Sequence, residues 1–150
     1  MPKDNSQWKN KITLRRHILT RLPVRSVLEV FAGNGVMNRR CYSDIDYGVA
    51  LDKDTKKCKQ FARIRPSWAV YEVDAVQALA GGMADAGAFD LIDFDAWGDP
   101  WRAIYAYADN CATAPDRLGI VVTDGLRRKL NYASAFPRHM EPEVQKYGGR

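Results

Sequence analysis

The sequence of 150 residues predicts an α/β domain, a mostly parallel sheet of at least five strands with helices on both faces. Three observations predict it. Five short apolar runs recur along the chain, too continuous for strands with one solvated face, so both of their faces are expected to be covered. The segments between them carry helical spacing with start and stop signals. Glycine or carboxylate residues close several of the runs, as the carboxyl edge of a ligand-binding parallel sheet requires.

Taken in order, the chain opens with a helix near Ser6–Leu22, where Trp8, Ile12, Ile18 and Leu19 form a stripe interrupted by Arg15. Ser26–Ala32 is the first apolar run and ends in Gly33-Asn34-Gly35, a strand-to-helix turn. Tyr47–Asp52 is the second. Asp54 or Thr55 can cap a helix through Cys58, Phe61 and Ala62 that Pro66 ends. Trp68–Val73 is the third run, followed by a helix with Val76, Leu79, Ala80 and Met83 on one face. Phe89–Asp95 is the fourth. Asp99 is a good N-cap with Pro100 at the first helical position, and Trp101, Ile104, Ala108 and Cys111 then recur at spacings of 3, 4 and 3. Gly119–Asp124 is the fifth run. After Gly125 the pattern fades, and Pro137, Pro142 and Gly148-Gly149 predict a loosely structured tail. The expected organisation is a basic helical segment over 1–25, a core over 26–125 and a basic tail over 126–150.

Composition narrows the function. With 46% hydrophobic and 27% charged residues the chain can bury a core and is not of disordered type. No apolar run approaches the roughly 20 residues of a membrane span, and the N-terminal residues lead into no apolar signal segment, so a cytoplasmic protein with no membrane partner is expected. Cys41, Cys58 and Cys111 are an odd, widely spaced set, expected as reduced thiols. With only His17 and His139 beside them, no metal site is expected.

The charge is uneven. Residues 1–26 carry seven basic side chains against Asp4 alone, a net of +6. Residues 126–150 carry a net of +4, and the middle a net of −5. Basic ends around an acidic middle suggest a polyanionic partner, with Arg15, Arg16, Arg127 and Arg128 as candidate nucleic-acid contacts; solvated basic termini are the plainer alternative.

The first two strands carry the clearest chemistry. Glu29-Val30-Phe31-Ala32-Gly33-Asn34-Gly35 sits where a strand turns into a helix, and its glycines allow a tight turn and close approach of a ligand. Asp52 follows Glu29 by 23 residues at a strand end, where a carboxylate can accept both hydroxyl protons of a ribose. Together they suggest an adenosine-containing cofactor across the carboxyl edge of the sheet. A nicotinamide cofactor fits less well, because its third glycine would stand at position 38, which is Asn38.

Glu-x-Phe-Ala-Gly-x-Gly, a strand ending in Asp52, and Val73-Asp74-Ala75 resemble the Rossmann-like S-adenosylmethionine-dependent methyltransferases. The resemblance implies that Glu29 meets the methionine amino group, directly or through water, that the loop of Phe31, Gly33 and Gly35 passes under the methionine part, and that Asp52 with Lys53 takes the ribose. It implies that Asp74 with Ala75 takes the adenine. Structural carboxylate for Glu29 and helix cap for Asp74 are the alternatives. The family sheet usually has seven strands, so C-terminal strands are missing from the pattern here, and a second copy or a partner subunit is one way to complete it.

Asp90–Pro100 is similar to the catalytic loop of amino-group methyltransferases, nearest to the tRNA guanine-N2 dimethyltransferases, whose loop reads Asp-Pro-Phe-Gly-Ser-Pro. Asp95, Trp97, Gly98 and Pro100 match; Ala96 and Asp99 depart. The resemblance covers roughly residues 26–125 and implies an RNA substrate, tRNA first and DNA second. In chemical terms, Asp95 can accept a hydrogen bond from an exocyclic amine and localise its lone pair. The Ala96 carbonyl can hold the second amine proton, and Trp97 can stack on the base. Trp97 packed into the core at a helix start, and Asp95 as a helix cap, are the alternatives. Asp93, two residues earlier, is expected to point away from the site or to support it. Beside a nucleic-acid methyltransferase stand a small-molecule methyltransferase and a cofactor-binding module or non-catalytic subunit.

Overall fold

A computed structural model of the chain describes residues 8–83, 88–110 and 116–125. Five strands, β1 (Ser26–Val30), β2 (Tyr47–Asp52), β3 (Ala69–Glu72), β4 (Leu91–Asp95) and β5 (Gly119–Thr123), alternate with helices. The helices are α1 (Trp8–Arg21), α2 (Val36–Cys41), α3 (Thr55–Ile64), α4 (Ala75–Ala80) and α5 (Trp101–Asn110). The strands form one sheet in the order β3-β2-β1-β4-β5, and every pairing is parallel. The predicted fold class is therefore the observed one. Strand order reverses between β1 and β4, and such a switch point opens a crevice at the carboxyl ends of the strands.

Both faces of the sheet are covered. Leu28, Val30, Leu51, Ile92 and Phe94 pack with α4 and α5 through Ala78, Leu79, Ala103 and Tyr107. The alternate residues Val27, Ala50, Leu91 and Val121 pack with α2 and α3 through Met37, Cys41 and Phe61, and with Trp8, Ile12, Ile18 and Leu19 of α1. The period of 2 thus splits each apolar run between two cores.

The capping signals held. Asp54 Oδ1 accepts the Lys56 and Lys57 N–H groups at 2.9 and 3.1 Å, and Asp99 Oδ1 accepts the Trp101 N–H at 2.9 Å. Two predicted faces need correction. In α4 the buried residues are Ala75, Ala78 and Leu79, because the helix ends at Gly81 and leaves Met83 beyond it, 47% exposed. In α5 Ala103 and Tyr107 are buried while Ala108 is exposed, since α5 approaches α4 over the small Ala103 side chain. Cys41 and Cys58 are free and buried. Cys111, His139, Arg127, Arg128 and the segment 126–150 lie outside the described residues. No described helix is long and apolar enough to cross a membrane.

Candidate active site

A cavity of about 370 Å³ opens at the carboxyl ends of β1 to β4. That volume is in the range of small-molecule sites. Of the residues predicted for a cofactor or for catalysis, Phe31, Gly33, Asp52, Lys53, Asp74, Ala75, Asp95 and Trp97 line it. They come from four strand ends, which the parallel sheet brings to one edge.

Beneath the cavity, β1 ends in a strained turn. Phe31 has φ 64°, a left-handed conformation that costs a residue with a side chain about 1–2 kcal/mol. Gly33 follows with φ 63°, and a Cβ placed there would meet nothing within 4 Å, so the space above this backbone is open to a ligand. Asp52 is held in place by the same loop. Its Oδ2 accepts the Gly33 N–H at 2.8 Å and its Oδ1 the Asp54 N–H at 2.9 Å. Each oxygen keeps a second lone pair, so the carboxylate is oriented and still able to accept hydroxyl protons. Asp74 caps α4 through Oδ1, which accepts the Gln77 N–H at 3.1 Å; the cap alternative is correct for that oxygen, and Asp74 lines the cavity as well.

Three predicted residues do not line the cavity. Gly35 is buried, and a Cβ there would press on the Phe61 ring at 3.0 Å, so this glycine serves the packing of α2 against α3. Ala96 is 5% exposed, a small side chain in the interior behind the loop. Glu29 is 3% exposed, and its Oε2 accepts the Asn38 Nδ2 hydrogen at 2.7 Å. The pleat of β1 turns Glu29 toward α2, away from the ligand space.

Burial, with the adjacent Asp93 charge, pushes the Glu29 carboxyl well above the ordinary carboxylate range. Asn38 Oδ1, also buried, has no hydrogen-bond partner, and a protonated Glu29 can supply the donor it lacks. The folded protein then holds a proton that the unfolded chain releases above the usual Glu value. The stability so gained is complete below that value and declines as pH rises toward the folded one, by up to about 1.4 kcal/mol per pH unit. Glu29→Gln keeps a neutral side chain of the same shape. In thermal melts from about pH 5 to about pH 8, its Tm should gain steadily on the wild type. A constant difference would mean that Glu29 is ionised in the fold.

Arg15 requires the largest correction. It was a candidate nucleic-acid contact, yet its side chain is fully buried, with Nε 2.6 Å from Asp93 Oδ2 and Nη2 2.7 Å from Asp93 Oδ1. Tyr42 donates to Asp93 Oδ2 at 2.7 Å, and Arg15 Nη2 stands 3.5 Å from Asp95 Oδ2. Burial alone would lower the guanidinium; the charges of Asp93 and Asp95 outweigh it and keep Arg15 a cation. A buried, paired guanidinium cannot release counterions from a phosphate. The sequence signal was present, because Arg15 interrupts an apolar stripe. Arg16, its neighbour, is exposed. Asp93 does not line the cavity; it holds Arg15, which also faces Asp95.

Asp95 is part-buried at the end of β4, with Oδ1 2.6 Å from Lys11 Nζ. Beside it Trp97 is 89% exposed, which excludes core packing for this ring. The loop behind Trp97 is pinned by the Gly125 N–H, which donates to the Gly98 oxygen at 3.0 Å. A Cβ on Gly125 would collide with the Trp97 carbonyl, so glycine is required after β5. Sequence reasoning missed Gly125, and it also missed Trp8 and Lys11 of α1, both of which line the cavity. Helical spacing placed these two on α1 but could not say where α1 lies. Among the described residues no group of His, Cys, Asp and Glu side chains could hold a metal ion.

No protein-family model and no curated protein matches the chain by sequence. Solved structures do match by fold. A Haemophilus influenzae protein described as a methylase aligns with TM-score 0.56 and 18% identity, over 71% of this chain and 66% of its own. The N-methyltransferase NodS of Bradyrhizobium japonicum aligns with TM-score 0.60 and 15% identity, over 95% and 83%. A Staphylococcus aureus protein described as a caffeoyl-CoA O-methyltransferase gives 0.59 and 14%, over 91% and 68%. This chain therefore spans just under two thirds of the first, about four fifths of the second and about two thirds of the third. At such identities the likeness concerns the fold alone, the five-stranded parallel α/β sheet described above.

Proposed function

We propose that the protein is an S-adenosylmethionine-dependent methyltransferase that acts on an exocyclic amino group of a nucleic-acid base, RNA before DNA. The observation that carries the proposal is the single cavity in which an oriented Asp52, the open space over Gly33, Asp74, Asp95 and an exposed Trp97 meet. The likeness of the Asp95–Pro100 loop to that of the tRNA guanine-N2 dimethyltransferases supports the amino group and the RNA.

The residues present fit the cofactor. Asp52 would accept the ribose hydroxyls, Asp74 and Ala75 would border the adenine, and the Phe31–Gly33 turn would lie under the methionine part. Bound there, the cofactor supplies an electrophilic methyl carbon on a sulfonium centre. Trp97 offers a stacking surface for a planar acceptor, worth about 1–3 kcal/mol per base. Asp95 would accept an N–H of the acceptor amine and so localise the lone pair on nitrogen for attack on that methyl carbon, with the demethylated cofactor as the leaving group. The proton leaves the alkylated nitrogen afterwards, to Asp95 or to water. Positioning is the main catalytic contribution, and strong general-base catalysis is not required.

Calorimetric titration with S-adenosylmethionine and with S-adenosylhomocysteine is the first test. Micromolar binding is expected, and Asp52→Ala should weaken it by at least about 30-fold, the equivalent of one charge-assisted hydrogen bond. Unchanged affinity in this variant would remove Asp52 from the site. A small-molecule methyltransferase is the second reading, favoured by the loss of Arg15 from the basic surface. It would bind cofactor without salt-dependent RNA binding. A non-catalytic cofactor-binding subunit, favoured by Ala96 and by the Lys11 cation on Asp95, would bind both and transfer nothing. Completion of the protein by a second copy or a partner subunit is part of that reading.

A further inference from the structure

The two oxygens of Asp95 have different company. Oδ2 faces Arg15 Nη2 at 3.5 Å, and Arg15 is fully buried and fixed in bidentate fashion on Asp93. Oδ1 receives Lys11 Nζ at 2.6 Å from a side chain that is 30% exposed. One oxygen thus has a permanent cation behind it, and the other has one that can leave. Lys11 and Trp8 approach from α1, Asp95 and Trp97 from the end of β4, and all four line the cavity.

Resting on the methyltransferase reading, we propose that Asp95 Oδ1 is the oxygen that receives the acceptor's N–H, and that Lys11 Nζ occupies this acceptor position in the resting protein. Methyl transfer then requires an acceptor that displaces Lys11. Removing it leaves Asp95 anchored by Arg15, so the Lys11 pair is not what orients the carboxylate. The pair also selects among acceptors. A part-exposed ion pair is worth less than stacking of a base on an indole, so a planar amine that stacks on Trp97 can replace Lys11. A non-aromatic neutral amine brings only its N–H and cannot.

The test needs no acceptor. Sinefungin is the analogue of S-adenosylmethionine that carries a primary amine on carbon where the cofactor carries its methylated sulfur; S-adenosylhomocysteine carries neither amine nor methyl there. Calorimetry on the full chain gives the preference for sinefungin over S-adenosylhomocysteine. Lys11→Met is expected to raise that preference by about 5-fold or more, because it removes the competitor for Oδ1. Asp95→Asn is expected to lower it, and Lys11→Arg to leave it near the wild-type value. A merely structural Lys11 would change both affinities alike, and an unchanged or lowered preference in Lys11→Met overturns the proposal. If neither ligand binds the wild type, the methyltransferase reading itself has failed and this proposal falls with it.

Discussion

Arg15→Met should destabilise the fold by about 3–5 kcal/mol, the usual cost of deleting one member of a buried ion pair. The loss comes less from the missing bonds than from what stays behind. Asp93 and Glu29 face each other across β1 and β4 in the sheet register, both buried, and Arg15 is the cation bonded to Asp93. Without it, Asp93 must either stay charged in an apolar interior or take up a proton. In urea unfolding the midpoint should fall sharply, and the Tm by about 10 °C or more. Coupling Asp93→Asn to Arg15→Met removes the stranded charge and should restore part of the stability, so the double mutant should lie above the sum of the single effects. An Arg15→Met midpoint equal to wild type would mean that the guanidinium contributes no net stability to the fold.

Asp95→Ala should reduce methyl transfer to total cellular RNA by at least about 100-fold, within the range for loss of a positioned proton-accepting side chain. Its cofactor affinity should stay within about 5-fold, since removal of a part-exposed ion pair costs about 1 kcal/mol or less. The two readouts separate the proposed roles along the edge of the sheet, donor binding by Asp52 and acceptor positioning by Asp95. Label transferred from S-adenosylmethionine, measured beside calorimetry on the same preparation, decides the matter. If transfer survives Asp95→Ala, the loop at the end of β4 is not the catalytic one. If affinity collapses as well, Asp95 belongs to the cofactor half of the cavity.

The residues read correctly from sequence share a local cause. Asp54 and Asp99 cap helices because a short side-chain oxygen reaches an N–H two or three residues on. Gly33 and Asp52 were legible because a strand end and the turn after it are defined by a few consecutive residues. Once the strands are parallel, their carboxyl ends must share an edge, so eight of the predicted cofactor and catalytic residues line one cavity.

What was misread depends on which way a side chain faces and on what lies across from it. Glu29 fits the motif in sequence, but the pleat turns it to Asn38 and Asp93. Gly35 reads as a ligand loop and is in fact a packing contact with Phe61. Arg15 counted toward a basic end, while the fold takes it 78 positions along the chain to Asp93. Lys11 carried no signal, since its partner Asp95 lies 84 residues away.

The sequence alone determined the alternation of strands and helices, the parallel sheet, and the carboxylates at its carboxyl edge, because hydrophobic period and turn chemistry act over a few residues. Only the tertiary structure decided which charges are buried, which of them pair, and that α1 lies against the end of β4. Those outcomes depend on desolvation and on distances between segments far apart in the chain, which no local pattern encodes.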